Sequence, residues 1–125
     1  MAPKKKLILV VEDHPTNMRL AVDLLELKDY VVLKAENGAL AREHWGQSVP
    51  DLILMDIGLP DTSGLDLLKE VRLDGRLRRV KVVAFTAMVM QETRDEIEQA
   101  GFDAYISKPF DTKEFIRVIQ KTLEP

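Results

Sequence analysis

Polar residues capable of chemistry sit where short apolar runs end. Glu12 and Asp13 follow the run Leu7 to Val11, and Asp56 lies inside the run Leu52 to Ile57. An isolated charge within an apolar run is expensive to bury, so Asp56 calls for a partner. Thr86 closes the run Val80 to Phe85, and Lys108 follows Ala104 to Ile106 within Ser107-Lys108-Pro109. Carboxylates about 4 Å apart repel by about 4 kcal/mol per pair at an effective dielectric of about 20. If the acids converge, a divalent cation removes that cost. The donors are hard oxygens, the chain has no cysteine, and neither His14 nor His44 is paired at metal-ligand spacing. The expected ion is therefore Mg²⁺, with Mn²⁺ possible. An aspartate beside such an ion, a hydroxyl and a lysine suits phosphoryl transfer: the carboxylate attacks phosphorus while metal and ammonium neutralise the equatorial oxygens.

Convergence requires elements that aim these residues at one place. The runs Leu7 to Val11, Val31 to Ala35, Leu52 to Ile57, Val80 to Phe85 and Ala104 to Ile106 barely alternate in polarity, as expected of parallel strands buried on both faces. Each gap between them holds one helix and two loops, the size of a crossover between parallel strands. Asn17 to Lys28 offers Leu20, Ala21, Leu24 and Leu27 as a core stripe, and Ala39 to Trp45 follows the turn at Asn37-Gly38. Leu65 to Leu73 places Leu67, Leu68 and Val71 on one face after Asp61-Thr62-Ser63-Gly64. A fourth helix carries only the thin stripe Met90, Thr93, Ile97 and Ala100 and stops at Gly101; Thr112 to Leu123 turns Phe115, Ile116, Ile119 and Leu123 inward. This alternation predicts a three-layer, doubly wound (βα)5 sandwich of the flavodoxin-like kind. In such sheets the ligand crevice lies outside the carboxyl ends of the strands, and order 2-1-3-4-5 makes the first and third strands neighbours, bringing the three acids, Thr86 and Lys108 to one pocket.

The 125 residues predict a single domain over 1–125. Apolar residues make up 46% and charged residues 31%, enough for a core under a charged surface. The net charge of -3 argues against nucleic-acid or anionic-membrane binding through bulk charge. Without cysteine there is no disulfide framework, thiolate metal site or thiol nucleophile. Met-Ala-Pro-Lys-Lys-Lys is followed by only five apolar residues before Glu12, too few for a signal peptide or a membrane span, so a cytoplasmic protein is expected. Arg72, Arg76, Arg78, Arg79 and Lys81 form a basic patch around a loop, read here as a solvated surface.

Glu12-Asp13 after a strand, Asp56 in Leu-Met-Asp-Ile-Gly-Leu-Pro, Gly64, Phe85-Thr86-Ala87, Gly101 and Ala104-Tyr105-Ile106-Ser107-Lys108-Pro109-Phe110 together resemble the receiver domain of bacterial two-component response regulators. The match runs over nearly the whole chain. The resemblance implies that Asp56 accepts a phosphoryl group from a histidine kinase or histidine phosphotransfer protein. Asp13, Asp56 and the Gly58 carbonyl would bind Mg²⁺, with Glu12 acting largely through water. Thr86 and Lys108 would contact the phosphoryl oxygens, Tyr105 would be the switch aromatic, and Lys108-Pro109 would be a cis peptide. It further implies a signalling phosphoacceptor rather than an enzyme, which assists its own phosphorylation and dephosphorylation. An effector would read the surface of the fourth helix, fifth strand and fifth helix. Chains of this family without an output domain resemble the chemotaxis and DivK-like cell-cycle regulators, and Ala-Tyr-Ile-Ser-Lys-Pro inclines the reading to the latter.

Two positions depart from many relatives: Gly58, two after Asp56, and Met88, two after Thr86, offer no strong polar handle for an attacking water. Slow intrinsic dephosphorylation is expected. Competing functions fit less well. A flavin carrier of this topology needs a phosphate-cradling loop where Glu12-Asp13-His14-Pro15 stands. Phosphatases with an aspartate nucleophile usually place a second acid where Gly58 stands, and a scaffold working without phosphorylation would not need the acceptor set.

Overall fold

The computed structural model describes residues 5–87 and 91–124, with the backbone alone for 91–93. Five strands and five helices alternate: β1 (Leu7–Val11), α1 (Pro15–Leu27), β2 (Val31–Ala35), α2 (Gly38–Gln47), β3 (Leu52–Asp56), α3 (Gly64–Leu73), β4 (Lys81–Thr86), α4 (Gln91–Ala100), β5 (Ala104–Ser107) and α5 (Thr112–Leu123). The strands form one parallel sheet in the order β2-β1-β3-β4-β5, as the sequence predicts. β3 is buried along its whole length and β1 along all but its first residue, because each carries apolar side chains on both faces of the sheet.

Alternate residues of each strand feed two cores. Leu9, Val11, Ile53, Met55, Val82 and Ala84 pack on one face with Ala41, Trp45, Leu67, Leu68, Val71 and Ile97, which places α2, α3 and α4 there. Ile8, Val10, Leu52, Leu54, Val83 and Phe85 pack on the other with Met18, Ala21, Val22, Leu25, Phe115 and Ile119 from α1 and α5. Local chemistry sets the helix starts. Pro15 opens α1, Asn37 accepts the Leu40 N–H, Ser63 accepts the Leu65 N–H, and Asp111 accepts the N–H groups of Lys113 and Glu114.

Several expectations are corrected. The stripe Leu20, Ala21, Leu24 and Leu27 holds only in part: Ala21 is buried and Leu24 packs against the core, but Leu20 is 48% and Leu27 77% exposed, and Met18, Val22 and Leu25 complete the buried face. Both sets obey helical spacing, and the sheet selects the one whose register from Pro15 faces Ile8 and Val10. β2 is an edge strand, so Val31 is half-exposed rather than buried on both faces. In α4 only Ile97 of the expected stripe is buried; Ala100 is exposed, and Met90 and the Thr93 side chain lie outside the described residues. Trp45, within α2, is buried in the core. No helix among the described residues is long and apolar enough to cross a membrane.

Candidate functional site

Register carries the acids to one rim. β1 and β3 pair with Val11 opposite Met55, so the residues that follow, Glu12 and Asp56, emerge side by side. β4 lies on the other side of β3 with Phe85 opposite Asp56, and β5 brings Ser107 opposite Thr86. The Lys108 N–H donates to the Thr86 carbonyl at 2.8 Å, extending the ladder to the lysine itself.

At this rim Glu12, Asp13 and Asp56 each offer a carboxylate oxygen, all within 4.8 Å of one another. Glu12 and Thr86 are buried and Asp56 is 7% exposed, whereas Asp13 faces solvent. The Lys108 ammonium bridges the two buried acids, at 2.8 Å from Glu12 Oε2 and 3.2 Å from Asp56 Oδ2. The Glu12 Oε1 accepts the His14 N–H at 3.3 Å and Asn17 Nδ2 at 3.4 Å, and Asp56 Oδ1 accepts the Gly58 N–H at 3.1 Å. Burial pushes the Glu12 carboxyl above its ordinary value; the Lys108 hydrogen bond opposes this, and the nearby Asp56 charge reinforces it.

The donor set fits a hard divalent cation. It is all oxygen, carries three formal negative charges against one ammonium, and keeps an exposed member, Asp13, on the open side. Gly58 lies beside it, and its own Cα is unencumbered: a Cβ there would meet nothing within 4 Å. Gly64 is the opposite case. A Cβ there would overlap the Asp56 carbonyl oxygen and stand 2.8 Å from Ile57 Cα, so the close approach of α3 to the end of β3 requires glycine.

Three features of the site had no signal in local pattern. Lys108 is aimed by an aromatic platform: its Nζ lies 4.7 Å from the Phe85 ring centroid, and Phe85, Phe110 and Phe115 pack together with centroids 4.9 to 6.1 Å apart. Asn17 steadies Glu12 from the first turn of α1. Asp61 holds the start of α2 through the N–H groups of Gly38 at 2.8 Å and Ala39 at 3.0 Å, which lowers its carboxyl below the ordinary value. Tyr105, opposite Ala84 in the sheet, is partly buried, with the Arg94 guanidinium 5.7 Å from its ring centroid. The Lys108-Pro109 peptide is cis, as expected. Met88 lies outside the described residues.

The acids, hydroxyl and lysine gathered at the carboxyl ends of β1, β3, β4 and β5 place the candidate site in the crevice where a doubly wound α/β domain binds its ligand. The response regulator receiver domain matches residues 8–120, and the chain belongs to that family, the receivers of two-component systems. Among curated proteins it is similar to the polar-differentiation response regulator DivK of Brucella anthropi, 43% identical over 122 residues covering 94% of this chain and 96% of the relative. DivK of Brucella melitensis matches equally over the same span. Among solved structures it resembles the receiver domain of sensor histidine kinase PA1611 from Pseudomonas aeruginosa, with a magnesium ion coordinated in the active site cleft. That match has a TM-score of 0.87 and 33% identity, covering 96% of this chain and 98% of the other. The chemotaxis response regulator CheY4 of Vibrio cholerae shares the fold at a TM-score of 0.89 and 21% identity, covering 95% and 99%.

Proposed function

We propose that residues 1–125 form one receiver domain that works in the cytoplasm, with Asp56 as the phosphoacceptor of a two-component phosphorelay. The observation that carries the reading is the convergence of Glu12, Asp13 and Asp56 within 4.8 Å around the Lys108 ammonium. Asp13, Asp56, the Gly58 carbonyl and, through water, Glu12 would hold Mg²⁺. Bound there, the ion supplies charge neutralisation for the carboxylates and the transferring phosphoryl group.

The donor is a phosphohistidine of a kinase or phosphotransfer protein. An Asp56 carboxylate oxygen attacks phosphorus in line with the breaking P–N bond, and the departing imidazole nitrogen takes up a proton from solvent. Lys108 is held over Phe85 and beside both acids, so its ammonium can turn to a phosphoryl oxygen without crossing the pocket. The Gly58 N–H already bonds Asp56 Oδ1 and fixes the carboxylate plane. Thr86, at the end of β4, supplies the hydroxyl contact.

The product is an acyl phosphate with added charge and acceptor oxygens at a fixed place. Thr86 moving toward it would open space for Tyr105 to turn inward and leave its contact with Arg94, altering the surface of α4, β5 and α5 for a downstream effector. Magnitudes bound this switch. A shift from 1:99 to 99:1 needs about 5.5 kcal/mol, while two charge-assisted contacts supply about 3–6 kcal/mol together, so the contacts alone reach that threshold only at the top of their range, and over the rest of it a partner's binding completes the transition. Gly58 leaves open space where a side chain could guide water, which favours a long-lived phosphoprotein.

The test is to incubate the protein with Mg²⁺ and acetyl phosphate and map the modification by mass spectrometry. Labelling at Asp56, abolished in Asp56→Asn, is expected. A label on another residue, or none under conditions that label a known receiver, overturns the assignment. A phosphoryl half-life of seconds would refute the slow-dephosphorylation component.

A further inference from the structure

The basic run that begins in the last turn of α3 is not uniformly a solvated surface. Arg72 is a clamp: its Nη1 donates to the Val80 carbonyl at 2.8 Å, and its Nη2 donates to Asp103 Oδ2 at 2.9 Å and to the Gly101 carbonyl at 3.2 Å. The same Asp103 oxygen accepts the Val82 N–H at 2.8 Å. Arg76 pairs with Asp74 at 3.5 Å. Arg78, Arg79 and Lys81 remain; all three are exposed, and among the described residues none has an ion-pair partner. With Arg72 and Asp103 they line an open groove of about 550 Å³. Its one acid, Asp103, is already engaged, so three cations within four residues stand uncompensated on a protein whose net charge is -3.

We infer that this groove docks an acidic segment of a partner protein. Guanidinium groups match carboxylates in bidentate geometry, and a row of Asp or Glu would neutralise charges that otherwise repel one another. No lining residue is aromatic, so the groove lacks the stacking platform that a nucleobase uses. The loop is already ordered for binding: Leu77 is fully buried between Arg76 and Arg78, and the Val80 N–H bonds the Leu77 carbonyl at 3.0 Å. Little conformational entropy is lost on docking to a backbone held this way.

The groove also lies at the far end of the sheet from the acid cluster. Lys81 pairs with Leu52 at the amino end of β3, four residues before Asp56, a separation of about 13 Å along the strand. An acidic segment can therefore occupy it without covering Asp56. Docking is independent of phosphorylation chemistry and does not rest on the phosphoacceptor reading.

The test titrates the full chain into a rhodamine-labelled octaglutamate peptide and follows fluorescence anisotropy. The expected result is saturable binding at low salt that weakens strongly by about 0.3 M salt, where screening is short-ranged. The Arg78→Ala/Arg79→Ala variant should bind about tenfold more weakly or worse, and Lys81→Ala alone about threefold more weakly. Arg19→Ala, which removes an exposed cation on α1, should leave binding unchanged. Melting temperature and acetyl-phosphate labelling should be unchanged in all three. Equal binding by wild type and the double variant would overturn the inference, as would an equal loss in Arg19→Ala. A single-stranded octanucleotide binding as tightly as the peptide would also overturn it, in favour of a nucleic-acid surface.

Discussion

Asp56→Asn in metal-free buffer tests the electrostatic basis of the site. The Lys108 ammonium, 3.2 Å from Asp56 Oδ2, attracts that carboxylate by about 5 kcal/mol at an effective dielectric of about 20. Glu12, with an oxygen no more than 4.8 Å away, repels it by about 3.5 kcal/mol or more. Asp13 lies within the same distance but is exposed, and solvent screening cuts its share to about half of that. Attraction and repulsion then roughly cancel. What is left is the desolvation of a carboxylate only 7% exposed, a cost of several kcal/mol that a neutral amide largely escapes. Asparagine keeps one acceptor oxygen, at the Oδ1 place that accepts the Gly58 N–H, while Lys108 loses its Oδ2 partner and retains Glu12. A net gain of about 2 kcal/mol is expected, which for a chain of this size raises the melting temperature by about 6–10 °C. The assay is differential scanning fluorimetry after chelation, repeated with Mg²⁺. Wild type should gain stability from the ion by mass action, and the variant much less. A variant that melts at or below wild type without metal, or equal Mg²⁺ stabilisation of both proteins, would refute the clustered-acid account.

Three further outcomes follow from the same geometry. Lys108→Met removes the counter-charge from the buried Glu12 and Asp56 and should cost about 3 kcal/mol in urea melts without metal, with Mg²⁺ restoring a larger fraction of stability than in wild type. Gly64→Ala forces a Cβ against the Asp56 carbonyl and Ile57 and should destabilise by about 2 kcal/mol while slowing acetyl-phosphate labelling; normal labelling at normal stability would mean the backbone yields at no cost. Asp61→Ala frees the Gly38 and Ala39 N–H groups. Because the folded carboxyl is held below 3.8, its contribution is present at neutral pH and lost as pH falls through the depressed value, so the gap in melting temperature between wild type and variant should close on acidification.

The chemistry-bearing residues were legible because each occupies a stereotyped place at the end of an apolar run, and the strand ends of a parallel sheet form one rim. Recognition of the family as a whole came from several short motifs in fixed order. The buried face of α1 was legible only at Ala21 and Leu24, since two overlapping stripes share helical spacing and only the register against β1 separates them. The same holds for Arg72. Its partners Val80, Gly101 and Asp103 lie 8 to 31 residues away, and nothing in a run of basic residues tells a clamp from a solvated side chain.

The amino-acid sequence by itself determined the number and order of the elements, the parallel sheet, and the identity of the acids, hydroxyl and lysine, because burial periodicity and residue chemistry are local properties of a chain. Tertiary structure alone decided that Lys108 stands between Glu12 and Asp56, that Phe85, Phe110 and Phe115 aim it, that Gly64 must lack a side chain, and that Arg78, Arg79 and Lys81 have no ion-pair partner among the described residues. Those facts depend on distances between groups as much as 96 residues apart, which are set only when the packed sheet closes the intervening loops.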